Sequence, residues 1–254
     1  MNNQLLLSLT AGVFIGGISG YLGSLMLSKR MALVAGPLGH LTLPGIAIAL
    51  LYGFSISLFA FPFVMLGIIL IWLLELRTKL PMEALTAIVF ASGVAIAFLF
   101  LPIDQAESAL VGDITTISFI ETVATTITAI FLLFIIKLIY PKMVLINISE
   151  DLAHSEGINV KKYNFIYLTL IAIVVSMGVQ MVGALLTAAL VSIPPASARN
   201  LSRNLTQYRF ISIMIGLLSS CIGILLFKFT GLPSGPLIIL TSTFIFLVSL
   251  IFKK

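Results

Sequence analysis

Apolar runs of about 17 to 25 residues, each long enough to cross a bilayer, follow one another along this chain with only short polar breaks, and nothing else restricts its fold so tightly. They lie near residues 5–27, 32–54, 57–74, 84–102, 115–139, 164–180, 182–198, 209–228 and 235–252. Lipid offers backbone groups no partners, so each run must satisfy its own hydrogen bonds as a helix. The expected fold class is therefore all-α: a polytopic membrane protein of about nine transmembrane helices, forming a single domain over residues 1–254. Near residue 181 one long bent helix is an open alternative to two spans. No break is long enough to be a soluble domain.

Charge supports this reading and orients it. An ordinary soluble domain carries roughly 25% charged residues; this chain has 9%, with 60% hydrophobic residues and a mean hydropathy of +1.21. Its basic balance, Lys+Arg 14 against Asp+Glu 9, lacks the interleaved aromatic and basic side chains of a nucleic-acid surface, so no nucleic-acid partner is expected. Cys221 is the only cysteine, which leaves neither an intrachain disulfide nor a cysteine metal cluster. No cleavable signal is expected, because the first apolar run lacks a basic leader. With the N-terminus outside, Lys29, Arg30, Arg77, Lys79, Lys137, Lys142, Lys161, Lys162, Arg199, Arg203, Arg209, Lys253 and Lys254 share one side, 13 of 14 cations, and only Lys228 falls on the other. By the positive-inside rule that side is the cytoplasm of a cell-membrane protein, and the C-terminus lies there too. Asp104 and Glu107 then face outward.

Polar and helix-breaking residues inside the spans are where function is expected, since lipid leaves them unpartnered. The second span reads Gly36-Pro37-Leu38-Gly39-His40-Leu41-Thr42-Leu43-Pro44-Gly45. Pro37 and Pro44 each remove a backbone donor and break or kink the helix near its middle, with His40 between them. A neutral imidazole is the commonest transition-metal ligand, and a conduit needs weak ligation because tight binding stops release. The competing reading is a histidine hydrogen-bonded to a carbonyl and packing two helices. In the fifth span Ser118, Glu121, Thr122, Thr125 and Thr128 share one helix face. If that span begins near Ile114, Glu121 lies roughly 10 Å along it and is a candidate for lining a path. Against this, the hydroxyls can bond backbone carbonyls while Glu121 sits near the headgroups.

Two further segments carry local signals. Over residues 149–158, Ser149 can cap a helix, Glu150 and Asp151 fall in its favourable first turn, and Gly157 can close it with positive φ. The short helix, which includes Leu152, Ala153 and His154, would lie outside the membrane as a docking element; His154 reads as a solvated side chain, not a ligand. Gly183 to Arg199 is apolar and rich in small residues, Gly183, Ala184, Ala188 and Ala189, at spacings that admit a second helix closely. Pro194 and Pro195 are expected to stop this helix near the cytoplasm.

Taken together these segments resemble the permease subunit of ABC importers for zinc, manganese and iron. The resemblance rests on Gly39-His40 through Pro44-Gly45, the turn Gly112-Asp113, the run Val182-Gly183-Ala184-Leu185-Leu186 leading to Ile193-Pro194 and Ala198-Arg199, and Pro233-Ser234-Gly235-Pro236. It implies a homodimeric channel, a cytoplasmic ATP-binding subunit seated on residues 149–158, and an external metal-binding protein. The transported metal is then cargo, and no stably bound cofactor is implied. In that family an aspartate usually stands four residues before the histidine; here that position is Gly36, so His40 is the remaining ligand, with Glu121 and Asp113 as weaker oxygen donors. The chain carries no phosphate loop ending in Gly-Lys-Ser or Gly-Lys-Thr, so it is not expected to be an enzyme, and ATP hydrolysis would fall to the partner. A permease for metal chelates or another small solute, and an ion-coupled secondary carrier with broken helices, are the alternative readings. An intramembrane enzyme is disfavoured: no paired aspartates, His-Glu-x-x-His or serine nucleophile turn occurs at membrane depth.

Overall fold

A computed structural model describes residues 3–29, 31, 35–52, 56–78, 80–100, 112 and 114–252. Among them are eleven α-helices and no strand. They are α1 (Asn3–Ser28), α2 (Ala35–His40), α3 (Leu43–Tyr52), α4 (Ile56–Arg77), α5 (Met82–Phe100), α6 (Phe119–Ile148), α7 (Glu150–Ser155), α8 (Val160–Val182), α9 (Thr187–Leu201), α10 (Leu205–Thr230) and α11 (Ser234–Ile251). Six of them, α1, α4, α6, α8, α10 and α11, are long and apolar enough to cross a membrane. The shorter α5, the broken pair α2–α3 and the 15-residue α9 fill the remaining places of the nine-run pattern.

Side-chain contacts define two ends. At one, Gln4 Nε2 of α1 donates to the carbonyls of Thr115 and Ile117 at 2.8 and 2.7 Å, and Ser8 Oγ donates to Ile114 O at 3.1 Å. At the other, Lys29 Nζ donates to Asn164 Oδ1 at 2.7 Å, the Arg209 guanidinium lies 4.7 Å from the Tyr140 ring centre, and Asn200 Nδ2 donates to Ser249 Oγ at 3.0 Å. Thus α1, α6, α9 and α11 run one way, and α8 and α10 run back. Arg30, Lys79, Asp104, Glu107, Lys253 and Lys254 lie outside the described residues.

The core is organised around α1, which packs against α6, α8, α9 and α10. Its glycines make this close approach possible. A Cβ on Gly16 would overlap the Gly216 carbonyl and Ser220 Oγ, one on Gly20 the Ser212 carbonyl, and one on Gly23 the Val191 carbonyl. Gly12, Gly16 and Gly20 recur every fourth residue, the small-residue stripe through which membrane helices bring their backbones together.

The prolines behave differently at different sites. Pro37 and Pro44 each sit within the first turn of a separate short helix, where a missing N–H costs no internal bond, so the expected break falls between them at Leu41-Thr42. Thr42 Oγ1 and N both donate to Gly39 O, at 2.6 and 3.2 Å, and seal the break. Pro194 and Pro195, by contrast, do not stop α9, which runs on to Leu201. Both are buried. The missing N–H of Pro195 frees the Val191 carbonyl, and that oxygen is the one pressed onto Gly23 of α1, where a Cα–H contact replaces part of the lost bond. Likewise α6 passes through Pro141 to Ile148, beyond the expected end near residue 139, because Ile136, Ile139, Tyr140, Met143 and Ile146 continue one buried stripe.

The junction near residue 181 is two helices, not one bent helix. Gly183 caps α8 at φ 84°, and α9 starts at Thr187. Two other glycines clamp the junction. A Cβ on Gly112 would overlap Gly183 N and lie 2.6 Å from Val179 O, and one on Gly235 would lie 3.1 Å from Val182 Cα.

Candidate functional site

Two places collect the residues marked by the sequence: the broken second span and the short helix α7. In the first, α2 is wedged among α8, α9 and α5. Gly39 lets it approach the Ala184 carbonyl, 2.9 Å from where a Cβ would stand, and a Cβ on Gly36 would meet the Ala188 Cβ at 3.4 Å. The small residues of the Gly183 to Ala189 run therefore serve α2, while Ala184 and Thr187 hold it from the α9 side. The Thr187 hydroxyl is committed to Gly183 O at 2.6 Å.

His40 is the last residue of α2 and is half-buried. Its ring centre lies 5.6 Å from that of Phe90 at an interplanar angle of 45°. Among the described residues no carbonyl or side chain hydrogen-bonds the imidazole. Position 36, where a carboxylate would complete a pair one turn away, offers only a backbone. No group of three or more His, Cys, Asp and Glu side chains able to hold a metal occurs among the described residues. Asp113 lies outside them.

Glu121 requires a correction. The helix begins at Phe119, not near Ile114, and Ser118 is its N-cap. Ser118 Oγ accepts from Glu121 N at 3.2 Å, and Glu121 Oε2 accepts from Ser118 N at 2.9 Å. That reciprocal capping box places Glu121 in the first turn, not 10 Å along the span. Thr122 and Thr126 donate to Ser118 O and Thr122 O at 2.9 and 2.8 Å, satisfying themselves on their own helix.

The short helix α7 forms as its residues demand. Ser149 Oγ accepts from Leu152 N at 3.2 Å, and Glu150 and Asp151 occupy the first turn, where carboxylates favour the helix dipole. Gly157 adopts φ 71°, and Ile158 N donates back to Ala153 O at 2.9 Å to close the end. Only Ala153 is buried; Leu152 is 47% exposed and Ile148, at the end of α6, 73%. The helix thus presents an acidic and apolar outer face.

Beside it a cavity of about 250 Å³ is lined by Trp72, Glu75, Glu150, His154, Lys161 and Asn164, joining α4, α7 and α8. Lys29, one residue beyond α1, reaches Asn164 here and lies 5.4 Å from the Tyr167 ring centre. Burial pulls its ammonium pKa down, and the fields of Glu150 and Glu75 oppose that shift. Sequence reading took Lys29 only as a flanking charge, and nothing local separates a buried end-of-helix lysine from a solvated one.

A helical bundle with six helices long and apolar enough to cross a membrane, a broken span and a capped helix outside the spans is the architecture of a multi-pass membrane protein. The chain belongs to the ABC 3 transport family, whose model matches residues 1–253. It is 27% identical over 246 residues to the high-affinity zinc uptake system membrane protein ZnuB of Buchnera aphidicola subsp. Baizongia pistaciae, covering 94% of each chain. It is 24% identical over 249 residues to the manganese transport system membrane protein MntC of Listeria monocytogenes, covering 96% of this chain and 89% of that protein. Its fold matches PsaBC from Streptococcus pneumoniae, solved in complex with Fab, at a TM-score of 0.84 and 22% identity, over 97% of this chain and 91% of that one.

Proposed function

We infer that this chain is the membrane-spanning permease subunit of an ATP-driven importer that moves a divalent metal cation, zinc, manganese or iron, into the cytoplasm. The observation that carries the reading is the family match over residues 1–253, with relatives named for zinc and manganese uptake on either side of it. The metal is cargo, held weakly and released. Two copies of the chain bring two His40 imidazoles to a shared path, with waters, carbonyls and Asp113 completing the ligand set. A separate cytoplasmic subunit binds and hydrolyses ATP against α7, and an extracytoplasmic metal-binding protein supplies the ion. The gathering of Lys29, Lys142, Arg199, Arg203 and Arg209 at one end of the bundle supports an outer N-terminus and a cytoplasmic C-terminus.

Elemental analysis of cells or vesicles tests this. His40→Ala is expected to lower uptake by at least the roughly tenfold that losing even a hydrogen-bonded support of a metal ligand costs. The complex should still copurify with its ATPase. Wild-type uptake by that variant would return His40 to ring packing against Phe90. Uptake that survives disabling ATP hydrolysis in the partner would instead make the chain an ion-coupled carrier.

A further inference from the structure

Three span ends meet at one level: α1 stops at Ser28, α9 at Leu201, and α10 begins at Leu205. Between them opens a cavity of about 510 Å³ lined by Ser28, Arg199, Ser202, Arg203, Asn204 and Tyr208, with Leu27 and Leu205 completing the wall. No carboxylate among the described residues lines it. Three other cations of this end have partners. Lys29 bonds Asn164 at 2.7 Å, Lys142 Nζ donates to the Tyr163 hydroxyl at 2.5 Å, and Arg209 stacks on Tyr140. Among the described residues neither the Arg199 nor the Arg203 guanidinium is hydrogen-bonded or ion-paired.

Two arginines lining one hollow carry forked donors, the geometry that recognises phosphate oxygens. A water takes up about 30 Å³ in the liquid, so the hollow admits a group far larger than one solvent molecule. Its depth, level with the ends of three spans, is where a bilayer places its phosphates. Leu205, part of its wall, is 43% exposed and offers the apolar surface that an acyl chain needs.

We propose that this hollow binds the phosphate of an anionic phospholipid headgroup, with Arg199 and Arg203 as the charged donors and the hydroxyl of Ser202 beside them; Ser28 Oγ already donates to Ser24 O at 2.7 Å. The site shares no lining residue with His40 or with α7, and it anchors the α9–α10 turn to the bilayer.

The test is native mass spectrometry of the purified full-length protein titrated with phosphatidylglycerol, with phosphatidylcholine and inorganic phosphate as separate arms. Phosphatidylglycerol is expected to bind in preference to phosphatidylcholine. Arg199→Gln with Arg203→Gln is expected to weaken it about tenfold or more, equal to about 1.4 kcal/mol or more. Lys161→Gln with Lys162→Gln removes the same charge from the same end outside the hollow, and should leave binding unchanged. Ser202→Trp fills the hollow with both arginines kept, and should reproduce the loss even if the double arginine variant fails to fold. Equal weakening by the lysine pair would reduce the effect to general charge attraction and overturn the site. Inorganic phosphate binding as well as the lipid would overturn the lipid assignment. An arginine variant that keeps its lipid but sheds the ATPase subunit would make the hollow a protein contact instead.

Discussion

Gly20→Ala is expected to cost this protein much of its folded population, although it adds a single methyl group. The Cβ it introduces would overlap the backbone carbonyl of Ser212 on α10, and a carbonyl cannot swing aside as a flexible side chain does. Gly16 faces the same obstruction from Gly216, and Gly216 faces Gly16 in return, so the two backbones touch along a shared line. Relief requires α1 and α10 to separate, which loosens the central helix against its other neighbours as well. Overpacking a tight core costs about 1–3 kcal/mol, and for a chain of this size each kcal/mol lowers Tm by roughly 2–4 °C. Gly17 supplies the control. The nearest atom to its Cβ would be Ile213 Cγ2 at 3.7 Å, an ordinary contact, so Gly17→Ala should leave thermal unfolding in detergent unchanged. Equal behaviour of the two variants would show that the glycine line does not set the α1–α10 distance.

That line shows why part of the fold escaped the sequence. Hydropathy located the spans because lipid demands apolar length, whatever the tertiary arrangement. The break in the second span was legible from Pro37 and Pro44, and α7 from Ser149 and Gly157, because both depend on local backbone chemistry. Gly12, Gly16 and Gly20 were equally visible as a four-residue repeat, but a small-residue stripe does not name its partner, and the Gly183 to Ala189 run, read only as admitting some second helix, did not name α2 either. Pro194 and Pro195 misled for the opposite reason. Local chemistry forbids their backbone bonds, yet packing against Gly23 carries the helix through. At Glu121 the Ser-x-x-Glu capping signal was present in the sequence, but the surrounding threonines also read as helix, and only the start at Phe119 separates a cap from a span-lining carboxylate.

The candidate site divides along the same boundary. His40 was found because a titratable residue between two breaks stands out by itself. Its Phe90 neighbour follows from how α2 sits against α5, which no spacing rule conveys. Gly112 and Gly235 meet on the Val182-Gly183 junction, so three glycine segments far apart in sequence come together. They are one structural point, and it lies at the opposite end of α8 from α7.

On the coupling role proposed for α7, its closing glycine yields the second large effect. Gly157 closes the helix at φ 71°, and nothing lies within 4 Å of the position its Cβ would take, so space does not limit substitution there. Backbone conformation alone does. Valine is β-branched and disfavours the left-handed region, at a strain of about 1–3 kcal/mol, whereas asparagine enters that region readily. Gly157→Val should therefore break the Ile158 to Ala153 bond and unwind the last turn of α7, displacing the exposed Leu152 and the carboxylates of Glu150 and Asp151. Because α7 holds to the bundle by the one buried side chain of Ala153, little else would restore its position. The expected outcome is a permease that reaches the membrane with a normal unfolding temperature but loses nearly all metal uptake, either shedding its ATPase or leaving ATP hydrolysis uncoupled from transport. Gly157→Asn should transport normally. Uptake and ATP turnover measured on both variants in vesicles separate the cases: loss in both would point to a requirement for glycine's small size at a partner surface, and full transport by Gly157→Val would remove α7 from the coupling path.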